Sequence, residues 1–249
     1  MEGFENGVNL VSGLIWGGAW GDTRIIPIMG PIAWILLGAG LFFMIRLGGR
    51  PIRRLFPALA EVWAGRKGNG DPNAITPWQA LSTALSGQVG TGNLAGVATA
   101  ITLGGPGAIF WMWVTAFFGM ALAFAESSLA IKYRETDEYG RINGGPMYYI
   151  KNGLGSGWGW LAVLFCIGTI FSAAATGGMT QSNSITQTVV RSGAELGLAI
   201  PGWVIGAAIA VLVFAVIIGG IKSIGAVAGK VVPVMAAAYV VIAFIVLCV

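Results

Sequence analysis

WQALSTALSGQVGTGNLAGVATAI, residues 78–101, is the stretch on which the fold turns. It is uncharged over the roughly 20 residues that a membrane-crossing helix needs. Yet its middle, Ser86-Gly87-Gln88-Val89-Gly90-Thr91-Gly92-Asn93, is ill suited to an ordinary spanning helix. Gln and Asn near mid-membrane are expensive unless they face a partner or a cavity. Glycine in a helix interior is about 1 kcal/mol less favourable than alanine, so Gly87, Gly90 and Gly92 together let the chain unwind. Unwound backbone survives in a bilayer only where it is buried in protein or lines a cavity. Two readings follow. Gly92-x-x-x-Gly96 is a small-residue contact for close helix packing. Alternatively the helix is broken. The amides opening its second half then suit a carboxylate, and the carbonyls closing its first half suit Na⁺.

The rest of the composition supports a membrane setting. Of 249 residues, 56% are hydrophobic and 10% charged, whereas soluble domains run at about 45–50% and 25%. The mean hydropathy is +0.79. Glycine, at 40 residues, fits the close packing of lipid-embedded helices. Several chemistries are excluded. There is no His, which removes His-based triads and His-liganded zinc. Cys166 and Cys248 lie far apart in apolar runs, which makes neither a disulfide framework nor a metal cluster. No G-x-x-x-x-G-K-[ST] loop is present. The opening Met1-Glu2-Gly3-Phe4-Glu5 is acidic where a signal peptide is basic, so no cleaved signal is expected. The chain reads as a non-enzyme with no cofactor.

Six spans follow from the uncharged runs: 25–45, 78–101, 109–131, 158–190, 201–221 and 231–249. Residues 4–20, with Phe4, Val8, Leu10, Val11, Leu14 and Ile15, suit an interfacial amphipathic helix. The cations sort by loop. Arg46, Arg50, Arg53, Arg54, Arg66 and Lys67 follow the first span. Lys132, Arg134, Arg141 and Lys151 follow the third, and Lys222 and Lys230 the fifth. Only Arg24 and Arg191 lie on the other side. This asymmetry places the loops 46–77, 132–157 and 222–230 in the cytoplasm and the N-terminus outside. It also explains the pI near 9.3 without nucleic acid, because the cations flank spans instead of forming one stripe.

A second polar cluster interrupts the long fourth run: Thr176-Gly177-Gly178-Met179-Thr180-Gln181-Ser182-Asn183. It lines a cavity, or it marks an interfacial turn at the helix end. On a helix, Gly177 and Gln181 share a face, and the Gln181 amide both donates and accepts. Glu126 is the charged residue well inside a span, a functional candidate by default. Lys132 and Arg134 follow within two turns, so an ion pair near the cytoplasmic end is the plainer reading. Trp111, Trp113, Trp158 and Trp160 suit interfacial belts.

GGPGAIFWMWVTAFFG at 104–119 resembles the signature of the alanine/glycine:cation symporters, the sodium:alanine symporter family of prokaryotes. The resemblance continues through GTGNLAGVATAI at 90–101, FAE at 124–126, KYR at 132–134, GGPMYYI at 144–150, QSNS at 181–184 and GGIKSIG at 219–225. It implies an all-α membrane protein of leucine-transporter type, whose ten core helices form two inverted five-helix repeats after one extra helix. On that implication residues 1–24 are an interfacial segment, 25–45 the extra helix and 46–77 a cytoplasmic loop. Residues 78–249 are the first repeat, and the second repeat is expected outside this sequence. GTGN at 90–93 matches the unwound segment, so Thr91, Gly92 and Asn93 become substrate-binding residues, joined by Gln181. Ser86 and Val89 become sodium ligands through their carbonyls, with Asn93 at a second ion position. Gln88 stands where relatives often carry Ala, Ser or Thr.

The expected function is sodium-coupled symport of a small neutral amino acid, alanine or glycine, across the cytoplasmic membrane of a prokaryote. Its partners are the amino acid, Na⁺ and the lipid bilayer. The alternative is a non-transporting membrane subunit or truncated remnant that acts only as an assembly partner.

Overall fold

The computed structural model describes residues 2–17, 19–20, 23–24, 30–68, 75–140 and 142–248. Helix α1 (Glu2–Trp16) covers most of the expected interfacial segment and is followed by a two-residue hairpin, β1 (Ala19–Trp20) with β2 (Thr23–Arg24). Residues 25–29, the start of the first expected span, lie outside the described residues. The remainder of that span is α2 (Pro31–Arg46). Pro31 sits at its first turn, where a missing N–H is harmless. Gly48 and Gly49, at φ +59° and +69°, turn the chain out of α2 in a conformation that side chains resist.

The connection read as a loop over 46–77 is partly helical. Helix α3 (Arg50–Arg53), α4 (Leu55–Ala64) and a 3₁₀ turn (Gly65–Lys67) fill its first half. Leu55, Leu59 and Trp63 recur at helical spacing, but the segment is too short to register as a span. Asn69 and the rest of 69–74 lie outside the described residues. Helix α5 (Pro77–Gln88) opens with a reciprocal cap. Thr76 accepts from the Gln79 amide, and the Gln79 side chain accepts from the Thr76 amide.

Beyond α5 come a π-helical turn (Gly92–Gly96), α6 (Val97–Gly104) and α7 (Gly107–Lys132). At about 1.5 Å per residue, the 26 residues of α7 outreach a hydrocarbon core of about 30 Å. A small hairpin, β3 (Glu135–Thr136) with β4 (Ile142–Asn143), leads to α8 (Pro146–Leu154). Asn152 Nδ2 donates to Glu135 Oε1 at 2.8 Å, with Lys151 Nζ 3.7 Å from the same oxygen. Burial, and then the Glu126 carboxylate, push the Tyr149 phenol above its ordinary range.

The fourth expected span is one continuous helical path over residues 156–195. It comprises α9 (Gly159–Ser172), a π-helical stretch (Ala173–Met179) and α10 (Thr180–Glu195). The polar cluster at 176–183 therefore sits inside the helix, not at its end. Helix α11 (Gly202–Ile217) is followed by α12 (Gly220–Cys248), which contains Pro233. Residues 222–230, expected as a loop, belong to α12. The chain reverses at Ile218–Gly219, and Gly220 takes φ +66°. Two lysines among apolar residues read as a break between spans, but Lys222 and Lys230 leave the helical pattern of this segment intact.

The buried positions among the described residues are mostly small: Gly30, Gly40, Ser82, Ala121, Ala162, Gly193, Gly225 and Ala228, beside Met44 and Val232. Large apolar side chains such as Phe56, Leu103 and Leu247 point outward. That inversion of the soluble pattern is expected where lipid is the solvent and helices meet through small residues. At Gly40 a Cβ would stand 2.7 Å from Phe118 Cβ, so α2 and α7 meet almost backbone to backbone. Helix α5 lies on α12 at Gly225 and Gly229, where added Cβ atoms would touch Gln79 at 3.5 and 3.4 Å.

Candidate functional site

The break expected in 78–101 is present. The last turn of α5 closes with the Val89 amide on the Leu85 carbonyl, and Val89 itself is extended at φ −89°, ψ 117°. After a bend at Gly90 the chain is helical again from Thr91. The break has its own internal bonds. Gly90 N–H donates to Asn93 Oδ1 at 3.0 Å, and Asn93 N–H donates to the Gly90 carbonyl at 3.0 Å. Asn93 thus reaches back to the amide three residues before it, as the third residue of a capping box does. Because the Gly90 N–H goes to Asn93, it does not close on the Ser86 carbonyl four residues back. The Ser86 hydroxyl turns away and donates to the Thr83 carbonyl at 2.7 Å.

Gln181 meets this break from 90 residues away in sequence. Its Oε1 accepts from Thr91 N–H at 3.2 Å. Gly90 makes the approach possible, because a Cβ there would stand 2.7 Å from Gln181 Nε2. The bond has a clear chemical sense. An amide at the start of a helix carries partial positive charge, and here an uncharged amide oxygen takes the position that a carboxylate oxygen would suit. Gln181 lies two residues past the π-helical stretch of its own helix. There the Thr180 hydroxyl donates to the Ala175 carbonyl at 3.0 Å, across five residues. Gln181 therefore reaches the break from just beyond a wide turn of its own helix, and π-turns are often found at functional sites.

Of the residues singled out in the sequence, Thr91 and Gln181 are brought into direct contact, with Asn93 one hydrogen bond away through Gly90. Gly92 and Asn93 are exposed, as are Ser86, Gln88 and Val89. Gly92 has open space on its Cβ side. The break is an open face, not an enclosed pocket. A cavity of about 910 Å³ lies elsewhere, between the β3–β4 hairpin and the turn into α12, with Arg134, Asn143, Gly219 and Lys222 among its lining. Sequence reasoning did not single out Gly90 as the position that admits Gln181. Nothing in the sequence distinguishes it from Gly87 or Gly92 until the partner helix is placed.

Three helices long and apolar enough to cross a membrane among the described residues, with a discontinuous, polar-lined helix beside them, define a class: multi-pass helical membrane proteins of the transporter kind. The chain belongs to the sodium:alanine symporter family, whose model matches residues 21–249. It is 43% identical over 246 residues to the sodium/alanine symporter AgcS of Methanococcus maripaludis, covering 98% of this chain and 51% of that protein. It is 38% identical over 250 residues to the amino-acid carrier protein AlsT of Bacillus subtilis, covering 99% of this chain and 48% of the relative. A third relative, named as a probable sodium/glutamine symporter, GlnT of Bacillus subtilis, is 34% identical over 230 residues, covering 90% and 46%. The chain spans about half the length of the curated relatives it matches.

Proposed function

We propose that residues 1–249 carry the extra helix and the first five-helix repeat of a leucine-transporter-type symporter. It couples Na⁺ to the uptake of a small neutral amino acid, alanine or glycine. The observation that carries this reading is the Thr91–Gln181 hydrogen bond at an interrupted helix. The substrate carboxylate meets the amides of Thr91 and Gly92, displacing Gln181 Oε1 from the Thr91 N–H, with Asn93 and the released Gln181 amide beside it. Na⁺ is held by the carbonyls that end the first half-helix, at Ser86 and Val89. Asn93 Oδ1 accepts from Gly90 N–H, and its second lone pair is the one offered to an ion. The second repeat supplies the facing wall. No covalent bond is made or broken; the site opens alternately to each side of the membrane.

The loops 46–77 and 132–157 are proposed to be cytoplasmic and the N-terminus external, on the strength of the Lys and Arg asymmetry. The test is uptake of labelled alanine and glycine into vesicles carrying the chain joined to the remaining half of the full-length symporter. Uptake that follows an inward Na⁺ gradient and collapses with a sodium ionophore is expected. Uptake indifferent to Na⁺ would reject the coupling. Absence of uptake from well-inserted protein would favour the assembly-partner alternative.

A further inference from the structure

The other end of α5 carries a contact that the transport reading does not use. Pro233 lies inside α12 and has no N–H, so the carbonyl of Gly229, four residues back, loses its helical donor. An unsatisfied carbonyl is costly in a membrane helix. The Trp78 indole supplies the missing donor, with Nε1 3.0 Å from the Gly229 carbonyl oxygen. A Cβ at Gly229 would stand 3.7 Å from Trp78 Cδ1, an ordinary van der Waals contact, so the ring lies directly on this turn of α12. The indole is braced from behind by the edge of Trp63, at 5.7 Å and 81°. Trp63 in turn lies under the Arg66 guanidinium at 4.6 Å. Ser82, one helical turn beyond Trp78, is only 2% exposed.

We propose that Trp78 is a positioning residue: it holds the half-helix α5 on α12 by donating to the carbonyl that Pro233 leaves open. The order of α12 around Pro233 is thereby conditional on where α5 sits. Helix α5 is a short rod of 12 residues. Its start is fixed by the Thr76–Gln79 cap and the Trp78 bond, and its end is the break at 89–90. A displacement of that rod exposes the Gly229 carbonyl and loosens α12. A displacement of α12 at Pro233 releases the rod. The coupling stands on this geometry alone and does not depend on what the break binds.

The test is a double-mutant cycle in the intact chain, in nanodiscs, with Cys166 and Cys248 replaced by Ser and a reporter introduced as Ser82→Cys. Trp78→Phe keeps a ring but removes the N–H. Thiol labelling at position 82 should then accelerate on the order of threefold to tenfold, the worth of one net hydrogen bond. With Pro233→Ala the helix recovers its own donor to Gly229. The same Trp78→Phe change should then alter labelling by less than about twofold, the scatter of independent sites. Equal acceleration in both backgrounds would mean that the ring acts by packing alone, and would overturn the proposal. So would no acceleration with Pro233 in place. If Pro233→Ala does not insert, hydrogen exchange of Trp78→Phe decides. Faster exchange at residues 230–237 of α12 is expected, and unchanged exchange there defeats the coupling.

Discussion

At Gly92 an added Cβ meets no atom within 4 Å, so a side chain there disturbs no helix contact described in this chain. Gly92→Leu is therefore expected to insert and fold normally. On the proposed reading it abolishes amino-acid binding, because the leucine fills the space in front of the first amides of the restarted helix. Alanine affinity measured by calorimetry on the full-length symporter checks this; wild-type affinity would remove Gly92 from the substrate site. Gln181→Ala removes the amide that reaches Thr91. It is expected to weaken amino-acid binding by about threefold to tenfold, for one hydrogen bond of about 0.5–1.5 kcal/mol. Na⁺ affinity without substrate should hold, and an equal loss there would move Gln181 to the ion site. Gly90→Ala should mimic Gln181→Ala, because its Cβ would stand 2.7 Å from Nε2 and must displace that side chain. The same binding assay decides, and an unaffected Gly90→Ala would mean that the Gln181 contact does not matter to the substrate.

Among the elements, α2 and α7 give the sharpest stability test. Gly40→Ala places a methyl 2.7 Å from Phe118 Cβ and 3.0 Å from its carbonyl oxygen, neither of which lies at the far end of a flexible side chain. Overpacking of this kind typically costs about 1–3 kcal/mol. A lowered thermal midpoint in detergent is expected for Gly40→Ala and not for Gly38→Ala, whose Cβ has free space. The element plan was largely legible from uncharged runs. The boundaries were not, and for a physical reason. Lys222 and Lys230 read as ending a span, yet both belong to the helix that starts at Gly220. Lys222 lies in its first turn, and Lys230, ten residues further on than Gly220, is exposed on a side chain long enough to reach towards the polar interface. The α4 helix has ten residues, too few to cross a bilayer, so hydropathy over a span's length does not reveal it.

For the whole molecule, topology and self-sufficiency are the measurable properties. The path from 156 to 195 contains 40 residues, about 60 Å of helix at 1.5 Å per residue, twice a hydrocarbon core of about 30 Å. Its two ends should therefore lie on opposite sides. Single cysteines introduced as Glu138→Cys and Ser192→Cys should label from opposite faces of sealed vesicles, with 138 cytoplasmic. Labelling of both from one side would break the span assignment. Residues 1–249 reconstituted by themselves are expected not to transport, because Gly92, Asn93 and Val89 stand on an open face that needs a second wall to become a cavity. Saturable, Na⁺-driven alanine uptake by residues 1–249 alone would show that these helices form a complete pathway.

By itself the sequence determined the membrane setting, the run of apolar helices and the existence of a weak point in residues 78–101. These depend on local composition: length of apolar run, sign of flanking charge and helix propensity of glycine. It left open whether the glycines at 87–92 serve packing or a break. That choice depends on where the Gly90 and Thr91 amides find acceptors, and those acceptors are Asn93 nearby and Gln181 far along the chain. Pro233 posed the same kind of question, since a proline states that a carbonyl is open but not what fills it. Only the tertiary structure names Trp78, because satisfying a backbone group in lipid is a matter of which helix lies alongside, and no local pattern encodes that neighbour.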